Sequence, residues 1–342
     1  MKKYDVIIIG AGPAGIAAAK TLKKAGINFC IIEKNKFPRE KLCGGGLTHK
    51  SINLINYLNM KIENINTKKC KEVRIVSNKL SKKTKLYNEI IMVDRKEFDY
   101  NNVKQTTKNN LFEKENVINI KEHILITDKN EYEFKYIIFA DGVNGYSRKM
   151  ITNRKFGFCV EYNSDSIFDE TIFDFSAIKD GYGWIFPKND HTTIGVGKFV
   201  NKNDEYLNYL YIFAKKYNLK IDKTKIRGYH IPLYSKKVFK NSVIDDRFIL
   251  VGDAASLVDR VSGEGIYYAL LSGIKAAESI EFCLKNNCNL KNIYFKKTKK
   301  LYSSLNKRCF LSKLLYSRYG EFFIKLGLSN KYFIKKINDI FG

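Results

Sequence analysis

Several features that would mark a protein class are missing from this 342-residue chain. No two of its seven cysteines form a C-x-x-C pair, for Cys30, Cys43, Cys70, Cys159, Cys283, Cys288 and Cys309 are scattered. An odd, dispersed set argues against a disulfide framework and against zinc or iron–sulfur ligation, and it predicts reduced thiols in a cytoplasmic setting. His49, His123, His191 and His230 show no metal-ligand spacing, so no metal is expected. No stretch of about 18 uncharged apolar residues occurs, which removes a membrane-spanning helix from the expectations. The first apolar run is one strand long and leads into a glycine turn, unlike a signal peptide. Acidic residues are few, 35 against 61 Lys and Arg, which leaves a net charge of +26. Such a surplus invites anionic partners, yet no nucleic-acid-binding motif accompanies it. The abundance of Lys, Asn and Ile points first to compositional drift, and second to a membrane or lipid-phosphate surface. There is no internal repeat and no low-complexity linker. With 44% apolar and 28% charged residues the chain is globular, and it is long enough for two or three domains.

The strongest pattern lies in the first fifteen residues. Val6 to Ile9 is a β-branched run that reads as a strand buried on both faces. Gly10, Gly12 and Gly15 follow as G-x-G-x-x-G, with Ala11, Pro13 and Ala14 between them, and Ile16 to Leu22 continues as a helix. Gly10 permits the tight turn, Gly12 lets the backbone approach a pyrophosphate, and Gly15 lets helix and strand pack closely. The pyrophosphate would rest on the free N–H groups of the helix N-terminus. A second short strand, from Asn28 to Ile32, ends at Glu33 and Lys34, 23 residues after Gly10. That carboxylate is placed to accept from adenosine ribose hydroxyls. Strand, turn, helix and acid together predict a dinucleotide site.

Further along, Phe37-Pro-Arg-Glu-Lys-Leu-Cys43-Gly44-Gly45-Gly46 is a loop. A helix is predicted over 48–57 with Thr48 as its cap. Apolar alternation over 70–76 and 85–93, around a polar lysine-rich turn, predicts a hairpin. Asp94-Arg95-Lys-Glu-Phe-Asp99 opens another helix, and two more strands are expected before Asp141. Residues 156–199 read as a separate antiparallel sheet. A buried strand over 247–251 precedes Gly252-Asp253, and Gly263-Glu-Gly265-Ile266 starts a helix to about Leu284. An aspartate at a strand end beside a glycine turn suits a ribose or ribityl hydroxyl. Ala140-Asp141-Gly142 and Gly252-Asp253 thus join the first motif as parts of one site. The expected division is a discontinuous nucleotide domain of 1–67, 94–150 and 241–288, a β-rich substrate domain of 68–93 and 151–240, and a helical region of 289–342.

With these motifs in this order, the chain resembles the FAD-dependent oxidoreductases of the p-hydroxybenzoate hydroxylase fold. Among them it is most similar to the geranylgeranyl reductase family, to about residue 285. The resemblance implies an α/β fold: a Rossmann-like FAD-binding domain, an inserted antiparallel β-sheet substrate domain and a helical C-terminus. It implies that Cys43, Gly44, Gly45 and Gly46 lie along the flavin and that Arg95 contacts FAD. Asp253 would bind the ribityl chain, and Gly263, Gly265 and Ile266 would bring backbone N–H groups to the pyrimidine edge, where they stabilise negative charge. Tyr182-Gly-Trp184-Ile-Phe186-Pro187 is similar to the family's Y-x-W-x-F-P segment, which implies an isoprenoid pocket lined by Tyr182, Trp184 and Phe186. Three positions depart from the family pattern. Ser256 stands for a usual glycine, Arg260 for a usual proline, and Gly145 for the serine of a D-G-x-x-S motif.

The activity implied is FAD-dependent reduction of C=C bonds in isoprenoid chains, lipid- or diphosphate-linked, by hydride from reduced flavin. A flavin-dependent monooxygenase of the same fold and a non-catalytic polyprenyl-lipid-binding flavoprotein are the alternatives. No second G-x-G-x-x-G occurs, so NAD(P)H would bind transiently, or a reduced ferredoxin would bring the electrons. Cys43 is the candidate catalytic residue, a thiol that could gate substrate, tune the ring or supply a proton; the alternative is a small residue in a tight loop. Alternating Tyr182, Trp184 and Phe186 equally describe one core face of a strand. Residues 308–326 space apolar side chains as an amphipathic helix around Lys313, Arg318, Glu321 and Lys325. That helix packs on the protein's own core or lies on a lipid surface. Peripheral membrane contact is therefore an expectation, nucleic acid is not, and the oligomeric state is open.

Overall fold

The computed structural model describes residues 1–107, 109–199 and 205–329. In chain order it holds β1 (Lys2–Ile9), α1 (Pro13–Lys24), β2 (Phe29–Glu33), β3 (Gly46–Leu47), α2 (His49–Tyr57), β4 (Thr67–Ser77), β5 (Leu80–Val93) and α3 (Arg95–Thr106). Next come β6 (Leu111–Glu113), β7 (Val117–Lys121), β8 (Ile124–Thr127), β9 (Glu131–Phe139), β10 (Lys155–Ser164), β11 (Thr171–Asp174), β12 (Gly181–Pro187) and β13 (Thr192–Lys198). The last elements are α4 (Tyr206–Lys216), β14 (Arg227–Leu233), α5 (Lys236–Lys240), β15 (Val243–Ile244), β16 (Phe248–Leu250), α6 (Ile266–Asn286), α7 (Leu290–Lys297), α8 (Lys299–Leu315) and α9 (Gly320–Ser329).

Val6–Ile9 is buried because β1 lies between parallel neighbours, β2 and β9, with helices packed on the sheet. The sheet runs β15-β16-β9-β1-β2-β6, with β8 and β7 branching from β9. Its parallel strands β1, β2, β9 and β16 end at one edge, and Gly10, Glu33, Ala140 and Gly252-Asp253 lie where they stop. In such sheets ligands bind outside the carboxyl ends of the strands.

A second sheet runs β14-β10-β13-β12-β11-β4-β5-β3. Residues 68–93 and 151–240 thus share one sheet, and Gly46–Leu47 joins it through Met92 and Ile91 although the sequence reading put it with the nucleotide domain. The pairs are antiparallel except β4 with β11, which is parallel and joins the two stretches. One face packs on α4 through Leu210 and Phe213; the other carries Phe173, Tyr182 and Trp184.

Three expectations change. The lysine-rich turn between 76 and 85 is mostly strand, with only Asn78 and Lys79 between β4 and β5. Thr84 points inward while Lys83 and Lys85 point to water, as on a half-solvated sheet. The two strands predicted before Asp141 are four, β6 to β9. The amphipathic stretch is not one helix but α8 and α9, broken where Tyr316 turns inward to donate to the Val261 carbonyl (2.8 Å) and to pack on Phe199. Residues 330–342 of the expected helical region lie outside the described residues.

Candidate flavin site and the pocket beside it

The Gly10–Gly15 turn is shaped by two close approaches. Gly10 has φ +99°, and a Cβ there would collide with the Ala140 backbone; one at Gly15 would overlap the Gly10 carbonyl. Pro13 opens α1 with no capping side chain at Gly12, so the first-turn N–H groups are left for a ligand. Glu33, buried at the end of β2, accepts from Ala11 N (2.9 Å) and Asn35 N (3.0 Å). Arg39 reaches back from the 37–46 loop, and its Nη2 lies 3.7 Å from where a Gly12 Cβ would stand. Its Nη1 lies 3.3 Å from Asp99, and its buried Nε, 3.8 Å from Glu33 Oε1, makes no hydrogen bond among the described residues. Asp99 also grips Arg95 with both oxygens, at 3.0 and 2.9 Å. Burial disfavours the charge on Arg95, but Asp99 and Cys43 outweigh it and hold its pKa above the ordinary value. A guanidinium whose Nη2 borders a bare helix N-terminus fits a diphosphate.

This cleft encloses 390 Å³ and reaches the second aspartate motif. Asp253 stands on its wall in a tight turn that closes at Ser256, whose φ is +53°. The glycine usual in the family at 256 needs no Cβ in that left-handed conformation; the serine tolerates it, with its buried hydroxyl unpartnered. Asp141 also lines the cleft, but its carboxylate is taken up by Ser147, which donates its N–H (2.8 Å) and its hydroxyl (2.6 Å). A Cβ at Gly145 would overlap that carboxylate. The serine missing at 145 is in effect replaced two residues later. The Arg260 substitution points away, its Nε donating to the Tyr234 carbonyl.

A smaller pocket of 120 Å³ adjoins the cleft and shares Cys43, Tyr229, Ile231, Gly263, Gly265 and Ile266 with it. Tyr182, Trp184 and Phe186 alternate along β12, so all three rings stand on one face. Glycines make room for them, since a Cβ at Gly195 would enter the Trp184 ring and one at Gly44 would strike Phe186. Tyr182 donates its hydroxyl to the Ser262 carbonyl and Thr48 donates to Glu264. Lys188, at the β12 end, is buried and donates to the Gly44 (2.7 Å) and Val93 (2.8 Å) carbonyls. Burial pulls its pKa down to about 8.

A family model described as pyridine nucleotide-disulphide oxidoreductase matches residues 4–168. An uncharacterised protein of Methanosarcina barkeri is 36% identical over 310 residues, covering 84% of this chain and 76% of the relative. The chloroplastic geranylgeranyl diphosphate reductase of Arabidopsis thaliana is 29% identical over 324 residues, covering 82% of this chain and 66% of the plant protein. The chain belongs to the geranylgeranyl reductase family of FAD-dependent oxidoreductases. A geranylgeranyl bacteriochlorophyll reductase-like structure from Thermoplasma acidophilum shares its fold with a TM-score of 0.80 at 22% identity, over 92% of this chain and 87% of that one. The chain spans about two thirds of the length of the plant reductase.

The family's sequence motifs fall into three groups here. Gly10, Gly12, Pro13, Ala14, Glu33, Lys34, Arg95, Ala140, Gly142 and Asp253 line the cleft, with Cys43, Gly263, Gly265 and Ile266 on its border with the pocket. Gly44, Gly45, Gly46, Tyr182, Trp184 and Phe186 line the pocket alone. Ala11, Gly15 and Gly252 lie behind the wall and shape it. His49 lies in a groove beside β4 and β5. Arg39, Tyr229, Glu161 and Lys188 were missed. Arg39 sat in plain view within the 37–46 loop; Glu161 and Tyr229 lie in strands of the inserted sheet and Lys188 directly follows one, where nothing local marks them.

Proposed function

We propose that this family member saturates carbon–carbon double bonds of an isoprenoid chain held in the aromatic pocket. The observation that carries the reading is the shared wall: an apolar pocket opens onto the backbone that would face the flavin ring. Bound and reduced, FAD supplies a hydride there. The chain's part is to hold an unactivated alkene in that pocket against the cleft and to exclude water from it. Trp184 is 5% exposed, with an indole N–H that has no hydrogen-bond partner among the described residues, and it gives the prenyl chain a dry, weakly polar face. The N–H groups opening α6 at Gly265–Ile266, which no side chain caps, meet developing negative charge. Electrons arrive from NAD(P)H or a reduced ferredoxin. A lipid substrate enters from a membrane surface that exposed Phe310, Tyr319 and Phe322 meet among Lys307, Lys313 and Arg318. No helix among the described residues is long and apolar enough to cross a membrane.

The test is anaerobic. The holoenzyme is reduced, geranylgeranyl diphosphate or a geranylgeranyl ether lipid is added, and flavin absorbance is followed with product mass. Reoxidation with a gain of two hydrogens per bond is expected. Reduced flavin that persists until air enters, and then forms an oxygenated product, would replace the reductase by a monooxygenase.

A further inference from the structure

Saturating an alkene takes a proton as well as a hydride, and the pocket offers few groups to give one. The Tyr182 hydroxyl donates to a backbone carbonyl and Thr48 donates to Glu264, so both are engaged. Tyr229 differs in its acceptor, a carboxyl group that can itself hold a proton. It projects from β14 onto the wall common to cleft and pocket, and its hydroxyl donates to Glu161 Oε2 over a long 3.4 Å. Glu161, on the neighbouring strand β10, is 5% exposed, and its other oxygen accepts from Cys43 N (3.1 Å) in the flavin-side loop. Around the pair stand Cys43 and Lys41 from that loop, Cys159 from β10, Tyr182 from β12 and Lys188 just past its end. No ion pair within 4 Å reaches Glu161 among the described residues, and burial lifts its carboxyl pKa to about 7. Burial raises the Tyr229 hydroxyl as well, so a free phenolate is disfavoured.

We propose that Tyr229 is the catalytic proton donor to the double bond and that Glu161 is the positioning acid that reloads it. The proposal rests on the reductase reading above. One alkene carbon takes the hydride and the other takes the Tyr229 hydroxyl proton. The O–H bond breaks as the C–H bond forms, and the phenol oxygen takes the Glu161 proton in the same passage. Tyr229 ends unchanged, Glu161 ends as a carboxylate that water reprotonates, and both electrons come from the flavin. The 3.4 Å separation is long for a proton transfer and shortens once substrate displaces water, as catalytic contacts commonly do.

The experiment compares wild type, Tyr229→Phe and Glu161→Gln. Infrared pH-difference spectra, recorded without substrate, are expected to show a protonated-carboxyl band that disappears near pH 7 and is absent from Glu161→Gln. With geranylgeranyl diphosphate and pre-reduced enzyme, Tyr229→Phe is expected to slow the single turnover by about 10²- to 10⁴-fold at unchanged FAD affinity. The wild-type rate is expected to fall above pH 7, while the lower Glu161→Gln rate loses that fall. Turnover of Tyr229→Phe within about threefold of wild type would overturn the proposal, as would no carboxyl band titrating near neutrality. A wild type that leaves the probe untouched overturns the reductase reading itself, and the substrate-free band still tells whether Glu161 keeps its proton.

Discussion

Gly273→Ala is the most searching perturbation of the flavin cradle, because Gly273 touches no ligand. It lies in α6 where α1 crosses it, and a Cβ there would fall inside the contact distance of the Ala14 carbonyl oxygen, 3.1 Å from the carbonyl carbon and 3.3 Å from Cα. All three atoms are backbone, so no side chain can swing aside. Restoring a normal contact needs a movement of about 1 Å, and overpacking of that kind costs roughly 1–3 kcal/mol. Alanine's better helix propensity returns about 1 kcal/mol. The helix α1 has little room to retreat, since Gly15 already abuts the Gly10 carbonyl and Ala140. The displacement therefore passes into the turn that would seat the pyrophosphate. Losing one charge-assisted hydrogen bond there costs about 1.5–3 kcal/mol, so FAD is expected to bind ~10- to 100-fold more weakly. Titrating apoprotein with FAD by flavin fluorescence, alongside thermal unfolding, separates the two costs. An FAD Kd within twofold of wild type would refute the reasoning, because the α1 N-terminus would then not be where affinity resides.

Arg39→Ala removes the guanidinium beside Gly12 and is expected to weaken FAD about tenfold or more, with Arg39→Lys restoring only part because the planar fork is lost; calorimetric titration reads both. Ser256→Gly relieves a left-handed serine and an unpartnered hydroxyl, and is expected to raise stability by about 1 kcal/mol in urea unfolding despite the looser unfolded chain. Glu161 has its folded pKa raised to about 7 from an ordinary 4.5, so its contribution to stability is full below pH 4.5 and lost as pH rises to 7. Glu161→Gln escapes that loss, and its Tm advantage over wild type is expected to grow across pH 4.5–7 to the equivalent of about 3 kcal/mol and then level off. A difference independent of pH would count against a buried, protonated Glu161.

Legibility in the sequence followed the range of the interactions. The Thr48 cap, which accepts an N–H group within its own first helical turn, and the helix start at Asp94 were readable because cap and turn adjoin in the chain. The glycine turns were readable for the same reason. The Lys82–Lys85 stretch misled because lysine serves a solvated strand face as well as a turn, and only the buried Thr84 distinguishes them. Asp141 was placed at the cleft, but its bond to Ser147 depends on how the loop folds back. Glu161, Lys188 and Tyr229 carry no local mark, since their meaning comes from Cys43 and from neighbouring strands. The break between α8 and α9 was hidden because Tyr316 satisfies helical spacing equally well whether it points to water or to Phe199.

The order of strands in the first sheet has a consequence for the protein's synthesis. Of these strands β1 is made before the others, yet its neighbour β9 comes about 120 residues later, and β16 beyond β9 and the helix α6 that closes the cleft come up to about 250 residues later. At about 5–20 residues per second, some 13–50 s pass between the appearance of Gly10 and that of Ile266 on the ribosome. For about the first half of that interval, until Tyr136–Phe139 of β9 are made, Val6, Ile7, Ile8 and Ile9 are an aggregation-prone β-segment with one of their two neighbouring strands unmade. Flavin cannot shorten the wait, because the pieces that would hold it span the same distance. The chain's early life therefore depends on being shielded by something other than its cofactor.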